Sequence, residues 1–215
     1  MFEHIFFDLD GTLTDSAPGI LNAVTYTLEQ FGVDVPSRES LRYFIGPPLM
    51  DSFSKGFGFS HETCVEAVRT YRVYFSQKGI FENSVYDGVE TMLQTLKAQG
   101  KHLYIATSKP IGFAERIADH FGLTSYFDHI YGPDMGDEKS SKADVIRMAM
   151  RDSGAQLQTT VMVGDRFHDV KGATANNIPC VGVLYGYGDE KELVEAGALC
   201  TIPTVEALTD FLKAL

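Results

Sequence analysis

Short apolar runs that alternate with helical patterns constrain the fold of this chain more than any other feature. The runs are His4–Leu9, Leu103–Ala106, His129–Tyr131, Val161–Val163 and Val181–Leu184. They are continuously apolar, which indicates strands that are buried on both faces. Between them, apolar residues recur at helical spacing within 89–96, 113–121 and 145–149. We therefore predict an α/β fold with a doubly wound parallel sheet.

Residues 16–84 interrupt this alternation. They show no clear strand pattern, whereas apolar residues fall at helical spacing from Ile20 to Phe31 and from Cys64 to Phe75. We predict that residues 16–84 form an inserted all-helical domain and that residues 1–15 and 85–215 form the α/β core. The alternative is a long meander packed on the main core. The charge favours a distinct unit. Residues 16–84 carry seven acidic and six basic side chains and are therefore nearly neutral, whereas the whole chain has a net charge of -11.

The composition narrows the possible partners and location. Apolar residues make up 44% of the 215 and charged residues 22%, which excludes a disordered chain. A net charge of -11 without a basic stripe opposes binding to nucleic acid. The first residues lack the basic region of a signal peptide, and no apolar run approaches the roughly 18 residues that span a bilayer. We expect a soluble, cytoplasmic protein without nucleic-acid or membrane partners; the sequence does not distinguish a monomer from a homodimer.

The three cysteines, Cys64, Cys180 and Cys200, lie far apart in the chain and outside any metal-binding spacing. We interpret them as buried thiols of a reducing cytosol. The alternative is a catalytic cysteine, but no polar site signal accompanies any of the three.

The first chemical signal follows the first strand. Asp8 and Asp10 flank Leu9, so strand geometry would point both carboxylates the same way at the carboxyl end of the sheet, where α/β folds bind ligands. Two carboxylates this close repel each other unless a cation or proton separates them. Gly11 and Thr12 then provide a tight turn whose backbone N–H groups could face an anion. We expect a metal and a phosphate here; the alternative is that the acids only cap a turn.

A second acidic cluster follows another predicted strand. Asp165 ends the run Val161–Val163, and Asp169 falls in the next turn or first helical turn. Together with the first cluster they offer oxygen ligands alone, which suit Mg²⁺ better than Zn²⁺. The neighbouring His168 is interpreted as a surface or capping residue.

Two further segments carry groups that bind anions. Thr107 and Ser108 follow the second core strand, just before a predicted helix whose N-terminus could bind an anion, although either could be an ordinary N-cap. Ser141 and Asp144 resemble a capping box, which places Lys142 in the first turn of a helix. A cation at that position opposes the helix dipole, so it favours a lysine retained to bind an anion.

These four segments, in this order, resemble the motifs of the haloacid dehalogenase superfamily over nearly the whole chain. DxDGT stands at Asp8–Thr12, the Ser/Thr motif at Thr107 and Ser108, the lysine motif at Lys142 and the acidic motif at Asp165 and Asp169. The lysine segment reads Glu-Lys-Ser-Ser-Lys where the family commonly has Lys-Pro, so Lys139 is an alternative to Lys142. The helical insert is similar to the cap of the phosphoglycolate phosphatase-like subgroup.

The resemblance implies a Mg²⁺-dependent phosphatase that acts on a small phosphate ester, such as phosphoglycolate or a nucleoside 5′-monophosphate. Asp8 would be the nucleophile and Asp10 the general acid and base. Mg²⁺ would bind Asp8, the main-chain carbonyl of Asp10 and Asp165, with Asp169 as a further residue of the metal site. Thr107, Lys142 and the amides near Gly11 would hold the phosphate. In the cap, Gly46, Pro47 and Pro48 look like a substrate-specificity turn, with Arg42 beside it.

Two alternative functions remain open at this point. Phosphomutases of the β-phosphoglucomutase type carry a cap histidine and a tryptophan after the hinge, whereas this chain has Ser16–Asn22 there and no tryptophan. A regulatory module could hold phosphate on Asp8 without turnover, but it would not need Asp10 or a cap. Dehalogenases and phosphonatases of the superfamily lack the second carboxylate of the first motif, so Asp10 favours phosphate esters.

Overall fold

A six-stranded parallel sheet organises the computed structural model, which describes residues 2–137 and 140–214. The strands of the chain are β1 (His4–Phe7), β2 (Thr14–Asp15), β3 (Ser84–Val85), β4 (His102–Ala106), β5 (His129–Tyr131), β6 (Thr160–Gly164), β7 (Cys180–Val183) and β8 (Cys200–Ile202). The sheet has the order β5-β4-β1-β6-β7-β8, and β2 pairs with β3. Ile5, Phe6 and Phe7 of β1 are fully buried, as expected for a central strand covered on both faces. The predicted α/β fold with a parallel sheet is confirmed.

The helices follow the predicted alternation with the strands. They are α1 (Ala17–Gln30), α2 (Leu49–Phe57), α3 (His61–Gln77), α4 (Val89–Ala98), α5 (Ile111–His120), α6 (Lys142–Ser153), α7 (Phe167–Ala175), α8 (Glu190–Ala196) and α9 (Val205–Ala214). Among the described residues, none of these helices combines the length and the apolar character that crossing a membrane requires.

The chain divides into two compact units. One unit combines the segment that ends at Asp15 with the segment that begins at Val85, and the other is Ser16–Ser84. Within Ser16–Ser84, α1 packs on α3, and α2 also packs on α3. Phe44 and Phe53 are buried in this unit with their ring centroids 4.9 Å apart, so these aromatics form its own core.

The two buried cysteines lie one in each unit. Cys64 of α3 and Cys180 of β7 are buried, in agreement with their interpretation as core thiols. Cys200 on the edge strand β8 is only partly buried, so the expectation of a third buried thiol is wrong. An edge strand has a neighbour on one side alone, which leaves its side chains more accessible.

Three central strands of the sheet end next to one another. Phe7 of β1 is in register with Ile105 of β4 on one side and with Val163 of β6 on the other. Because the three strands are parallel, the residues that follow them emerge at the same edge of the sheet. Successive connections lead away from β1 in opposite directions, which makes this edge the usual ligand-binding crevice of an open α/β sheet.

Candidate active site

Three aspartates from two adjacent strands form a buried acidic cluster at this edge. Asp8 follows β1, Asp165 follows β6 and Asp169 lies in the first turn of α7. One carboxylate oxygen from each lies within 4.8 Å of the others. Burial, followed by the charges of Asp169 and Asp8, raises the pKa of Asp165 well above its usual value. Burial also raises the pKa of Asp169 to about 6, although Lys142 opposes this shift.

Lys142 supplies a positive charge to this cluster. It is the first residue of α6, and its Nζ lies 2.8 Å from Asp8 Oδ1, 2.8 Å from Asp169 Oδ1 and 3.0 Å from the carbonyl oxygen of Ala106. Burial alone would lower the pKa of Lys142, but the charges of Asp169 and Asp8 outweigh it and raise the pKa. The structure thus brings Lys142 to the carboxylates. The alternative lysine, Lys139, lies outside the described residues.

The capping box predicted at the start of α6 explains how Lys142 reaches the cluster. The Ser141 side chain accepts from the Asp144 N–H, and the Asp144 carboxylate accepts from the Ser141 N–H. The two bonds fix the direction in which the chain enters the helix. The hydrogen bonds from Ser141 also lower the pKa of Asp144 to about 2, so the cap carries a charge at neutral pH.

Backbone groups orient the two aspartates that follow β6. Asp165 Oδ2 accepts a 2.8 Å hydrogen bond from the Tyr187 N–H, and Asp169 Oδ2 accepts one of 3.1 Å from the Arg166 N–H. Asp165 Oδ1 is buried and has no hydrogen-bond partner among the described residues. Three convergent carboxylates, one with such an unsatisfied oxygen, suit a hard divalent cation that prefers oxygen ligands.

The turn after β1 differs from the expectation. The Leu9 N–H donates to Asp8 Oδ1 at 2.8 Å and thereby fixes that carboxylate. The Gly11 N–H donates to the carbonyl oxygen of Thr14 at 2.8 Å, and the Thr12 N–H to that of Leu9 at 3.3 Å. Both N–H groups therefore point into the turn rather than toward an anion. Thr12 Oγ1 is buried without a described partner.

Asp10 is separated from the three clustered carboxylates. Its Oδ2 lies 2.8 Å from the Nζ of Lys109, in the loop between β4 and α5. The acidic cluster contains Asp8, Asp165 and Asp169 but not the Asp10 side chain. Sequence reasoning missed Lys109 as a site residue, although it lies only two positions after Thr107 and directly before a proline.

The hydroxyl segment after β4 is only partly directed at the site. Thr107 is buried, and its Oγ1 accepts a hydrogen bond from the Lys109 N–H at 3.2 Å. Ser108 is exposed. His168 is neither a capping residue nor fully exposed, because it lies at the second position of α7, half-buried against Phe167. Burial and the nearby Arg166 lower its pKa.

The candidate specificity residues belong to Ser16–Ser84. Arg42 is exposed, with its Nε 3.9 Å from Glu39 Oε1. Gly46 has a φ of 103°, a conformation that favours glycine. Pro47 is half-buried, and the exposed Pro48 precedes the first residue of α2. Gly46, Pro47 and Pro48 thus form an uncharged turn before α2, and Arg42 lies in the preceding 3-10 helix, Glu39–Phe44.

A glycine-rich loop after β7 packs against Asp165 and was not recognised in the sequence. A Cβ at Gly186 would overlap the carbonyl oxygen of Gly11 and lie 2.5 Å from Asp165 Cβ. A Cβ at Gly188 would overlap the carbonyl oxygen of Asp165. The Tyr187 hydroxyl donates to Asp15 Oδ1 at 2.8 Å, so the same loop is attached at a second point. Only glycine allows the loop to approach Asp165 so closely.

Gly186→Ala is expected to displace Asp165 and to lower kcat by about 100-fold, since a misplacement near 1 Å can cost that much. The matched control is Gly112→Ala in α5, where an added Cβ would meet open space. Alanine should stabilise that helix by roughly 0.5–1 kcal/mol and leave kcat unchanged. Steady-state kinetics and thermal unfolding of both variants check this. Wild-type kcat in Gly186→Ala would show that the loop does not position Asp165.

Comparisons with known proteins agree with this fold. A solved structure described as a predicted phosphatase from Clostridium acetobutylicum is 46% identical, with a TM-score of 0.95 and full coverage of both chains. A 5′-nucleotidase of Pseudomonas aeruginosa is 42% identical over 89% of this chain and 87% of its own length. Tyrosine-protein kinase PtkA of Mycobacterium tuberculosis is 40% identical over 86% of this chain, and the match spans 62% of that kinase.

The site is a buried acidic cluster with a lysine, at the carboxyl end of a parallel sheet. The chain belongs to the haloacid dehalogenase-like hydrolase family, whose model matches residues 5–183. Together with relatives named 5′-nucleotidase, probable phosphatase and phosphoglycolate phosphatase, this membership makes it a phosphatase of that family. The resemblance noted in the sequence is confirmed.

Proposed function

We propose that this protein is a Mg²⁺-dependent phosphomonoesterase that hydrolyses small phosphate esters through a phosphorylated Asp8. The observation that carries the proposal is the buried group of Asp8, Asp165 and Asp169 with Lys142 bound to two of them. Such a group holds a nucleophile, ligands for a cation and a partner for phosphate oxygens in one place. These groups lie at the carboxyl end of the central strands, where open α/β sheets bind their ligands.

The residues present fit a divalent cation. Asp8 and Asp165 would bind Mg²⁺ together with the main-chain carbonyl of Asp10, and Asp169 supports the site by holding Lys142. When bound, Mg²⁺ would neutralise charge on the phosphate and on the carboxylates that face it. The unsatisfied Oδ1 of Asp165 supports this assignment.

Asp8 and Asp10 divide the chemistry between them. Asp8 attacks phosphorus, the bond to the leaving oxygen breaks, and Asp10 gives that oxygen a proton. Asp10 then takes a proton from water, whose oxygen attacks phosphorus and releases Asp8. Lys142 and the Thr107 hydroxyl stabilise the charge on the other phosphate oxygens. We omit the Gly11 and Thr12 amides from this set, because both bond within their own turn.

We assign substrate choice to the unit Ser16–Ser84, and within it to the Gly46–Pro48 turn and Arg42. A rigid apolar turn with one cation suits a small or medium leaving group rather than a protein or nucleic acid. A relative named 5′-nucleotidase supports nucleoside 5′-monophosphates as the first substrates to test, with phosphoglycolate next.

A panel of phosphate esters tests this function. We would compare kcat/KM for adenosine 5′-monophosphate, phosphoglycolate, β-glycerophosphate, p-nitrophenyl phosphate and a phosphotyrosine peptide, with Mg²⁺ and with chelator. Turnover of small esters that chelator abolishes would support the proposal. Preference for the phosphopeptide, net phosphoryl transfer to tyrosine, or a single turnover without release would contradict it.

Asp165→Asn provides a test of the cation site that does not depend on activity. Without metal, the variant should unfold at a higher temperature than the wild type, because it removes one of three mutually repelling buried carboxylates. With Mg²⁺ at about 100 times its Kd, the wild type should gain roughly 2.7 kcal/mol, whereas the variant should gain little. Asp34→Asn, at an exposed position, is the matched control. Thermal unfolding with EDTA and with Mg²⁺ measures both effects. An equal gain in stability on adding Mg²⁺ in the wild type and in Asp165→Asn would exclude Asp165 as a ligand.

A further inference from the structure

Lys109 is a nearly buried cation directed at Asp10. Its side chain is 7% exposed, and its Nζ lies 2.8 Å from Asp10 Oδ2. Burying an ammonium is costly unless a charged partner compensates for the lost hydration. A lysine in such a position therefore depends on its partner, and Asp10 likewise depends on Lys109.

The backbone around Lys109 is held in place at several points. The Lys109 N–H donates to Thr107 Oγ1, and a Cβ at Gly132 would lie 2.6 Å from the carbonyl oxygen of Lys109. The Ile111 N–H donates to the carbonyl oxygen of Pro133 at 2.8 Å. The loop is thus anchored to the segment after β5, so the lysine extends from a fixed base.

The two lysines of the site contact different carboxylates. Lys142 contacts Asp8 and Asp169, whereas Lys109 contacts Asp10. Asp10 needs a geometry different from that of Asp8, because it must exchange a proton with the leaving oxygen and with water instead of binding metal through its side chain. A cation on one oxygen of Asp10 restricts the rotation of that carboxylate.

We propose that Lys109 is a positioning residue that holds the Asp10 carboxylate in the orientation needed for proton transfer. The inference rests on the proposed function, in which Asp10 is the general acid and base. The competing explanation is that Lys109 binds the transferred phosphate directly. The two explanations differ in whether the activity lost on substituting Lys109 depends on the leaving group of the ester.

Leaving groups separate proton transfer from phosphate binding. An alkyl ester leaves as a strongly basic alkoxide and needs a proton from Asp10, whereas p-nitrophenolate leaves readily without one. The kcat/KM value reports the steps up to the first irreversible one, which includes departure of the leaving group. A positioning lysine should therefore affect the alkyl ester far more, whereas a phosphate-binding lysine should affect both esters equally.

The experiment compares Lys109→Met, Lys109→Arg, Asp10→Asn and the double variant Lys109→Met/Asp10→Asn. The substrates are p-nitrophenyl phosphate and the alkyl phosphate with the highest kcat/KM in the panel above. Asp10→Asn should lose about 10² to 10⁴ in kcat/KM on the alkyl ester and much less on the aryl ester. Lys109→Met should show the same pattern with a loss of roughly tenfold to 100-fold, and Lys109→Arg should recover part of it.

The double variant provides the decisive comparison. If Lys109 acts through Asp10, adding Lys109→Met to Asp10→Asn should cost less than threefold on the alkyl ester, because the residues act as a unit. Additive losses, or equal losses on both esters, would overturn the inference and assign Lys109 to phosphate binding. If Asp10→Asn itself shows no leaving-group dependence, the acid role of Asp10 fails and the inference fails with it.

A variant that does not fold would lose activity for an unrelated reason. The folding of every variant is therefore first checked by circular dichroism and thermal unfolding. Lys109→Gln serves as a second neutral substitution that can still donate to Asp10 Oδ2 if Lys109→Met unfolds. Its loss of kcat/KM should be larger on the alkyl ester than on the aryl ester, and smaller than the loss expected for Lys109→Met. Wild-type activity on both esters in a folded Lys109→Gln or Lys109→Met variant would overturn the positioning role.

Discussion

Asp8→Asn is expected to abolish turnover and to leave the fold intact. The amide is neutral and cannot form the acyl phosphate, so activity should fall below about 1% of wild type on every ester. This threshold is modest, because removal of a covalent residue usually costs far more activity. The asparagine oxygen can still accept from the Leu9 N–H and from Lys142, which now bond to Asp8 Oδ1. Removing one carboxylate from the acidic cluster should also keep the metal-free protein at least as stable as the wild type.

Kinetics, thermal unfolding and intact-mass measurement after acid quench check this expectation. The quenched wild type should carry one phosphoryl group during turnover, and the variant none. Asp152→Asn is a matched control, because Asp152 is exposed and pairs with its exposed neighbour Arg151 in α6. Activity above about 1% of wild type in Asp8→Asn would exclude Asp8 as the nucleophile.

Lys142→Met is expected to destabilise the metal-free protein by about 3–5 kcal/mol and to remove nearly all activity. Its side chain is 4% exposed and neutralises two buried carboxylates at 2.8 Å, so the substitution leaves uncompensated charge in the core. Mg²⁺ should restore part of this stability, because it would place positive charge beside the same carboxylates. Denaturant unfolding with EDTA and with Mg²⁺ measures both quantities.

A second substitution separates the two effects of losing Lys142. Lys142→Met/Asp169→Asn also removes the charge of Asp169, one of the two carboxylates that Lys142 neutralises. The double variant should therefore regain most of the metal-free stability that Lys142→Met loses, while activity stays lost. Lys191→Met is the control, because Lys191 is exposed and its 3.9 Å pair with Glu195 is worth little. If the double variant is no more stable than Lys142→Met, charge repulsion is not the cause of the loss.

The elements with strong local patterns were predictable from the sequence. The strands β1, β4, β5, β6 and β7 are continuous apolar runs, and their burial from both sides follows from that composition. The capping box of Ser141 and Asp144 was also predicted, because it depends on side chains only three residues apart. The short edge strand β8 and the helix after it were not predicted, since three residues with one partly buried face carry little signal.

The types of residue in the site were predictable from the sequence, but the contacts between them were not. Aspartates at the ends of two strands indicate oxygen ligands wherever those strands come to lie. Lys109 pairs with Asp10 from the loop after another strand, and Tyr187 packs against Asp165 from 22 positions further along the chain. Both contacts depend on how separate loops meet in the fold. The direction of the Gly11 and Thr12 N–H groups likewise depended on how one turn closes.

The sequence by itself determined the α/β class, the membership of the family and the identity of the acidic residues, because these follow from local periodicity and from motifs a few residues long. Only the tertiary structure decided which lysine serves which carboxylate. No local pattern around Lys142 or Lys109 indicates which aspartate it will contact. Strand order and the anchoring of the loops determine that Lys142 pairs with Asp8 and that Lys109 pairs with Asp10. Pairing across the sheet edge depends on distances of a few ångströms between segments far apart in the chain, and no local pattern encodes those distances.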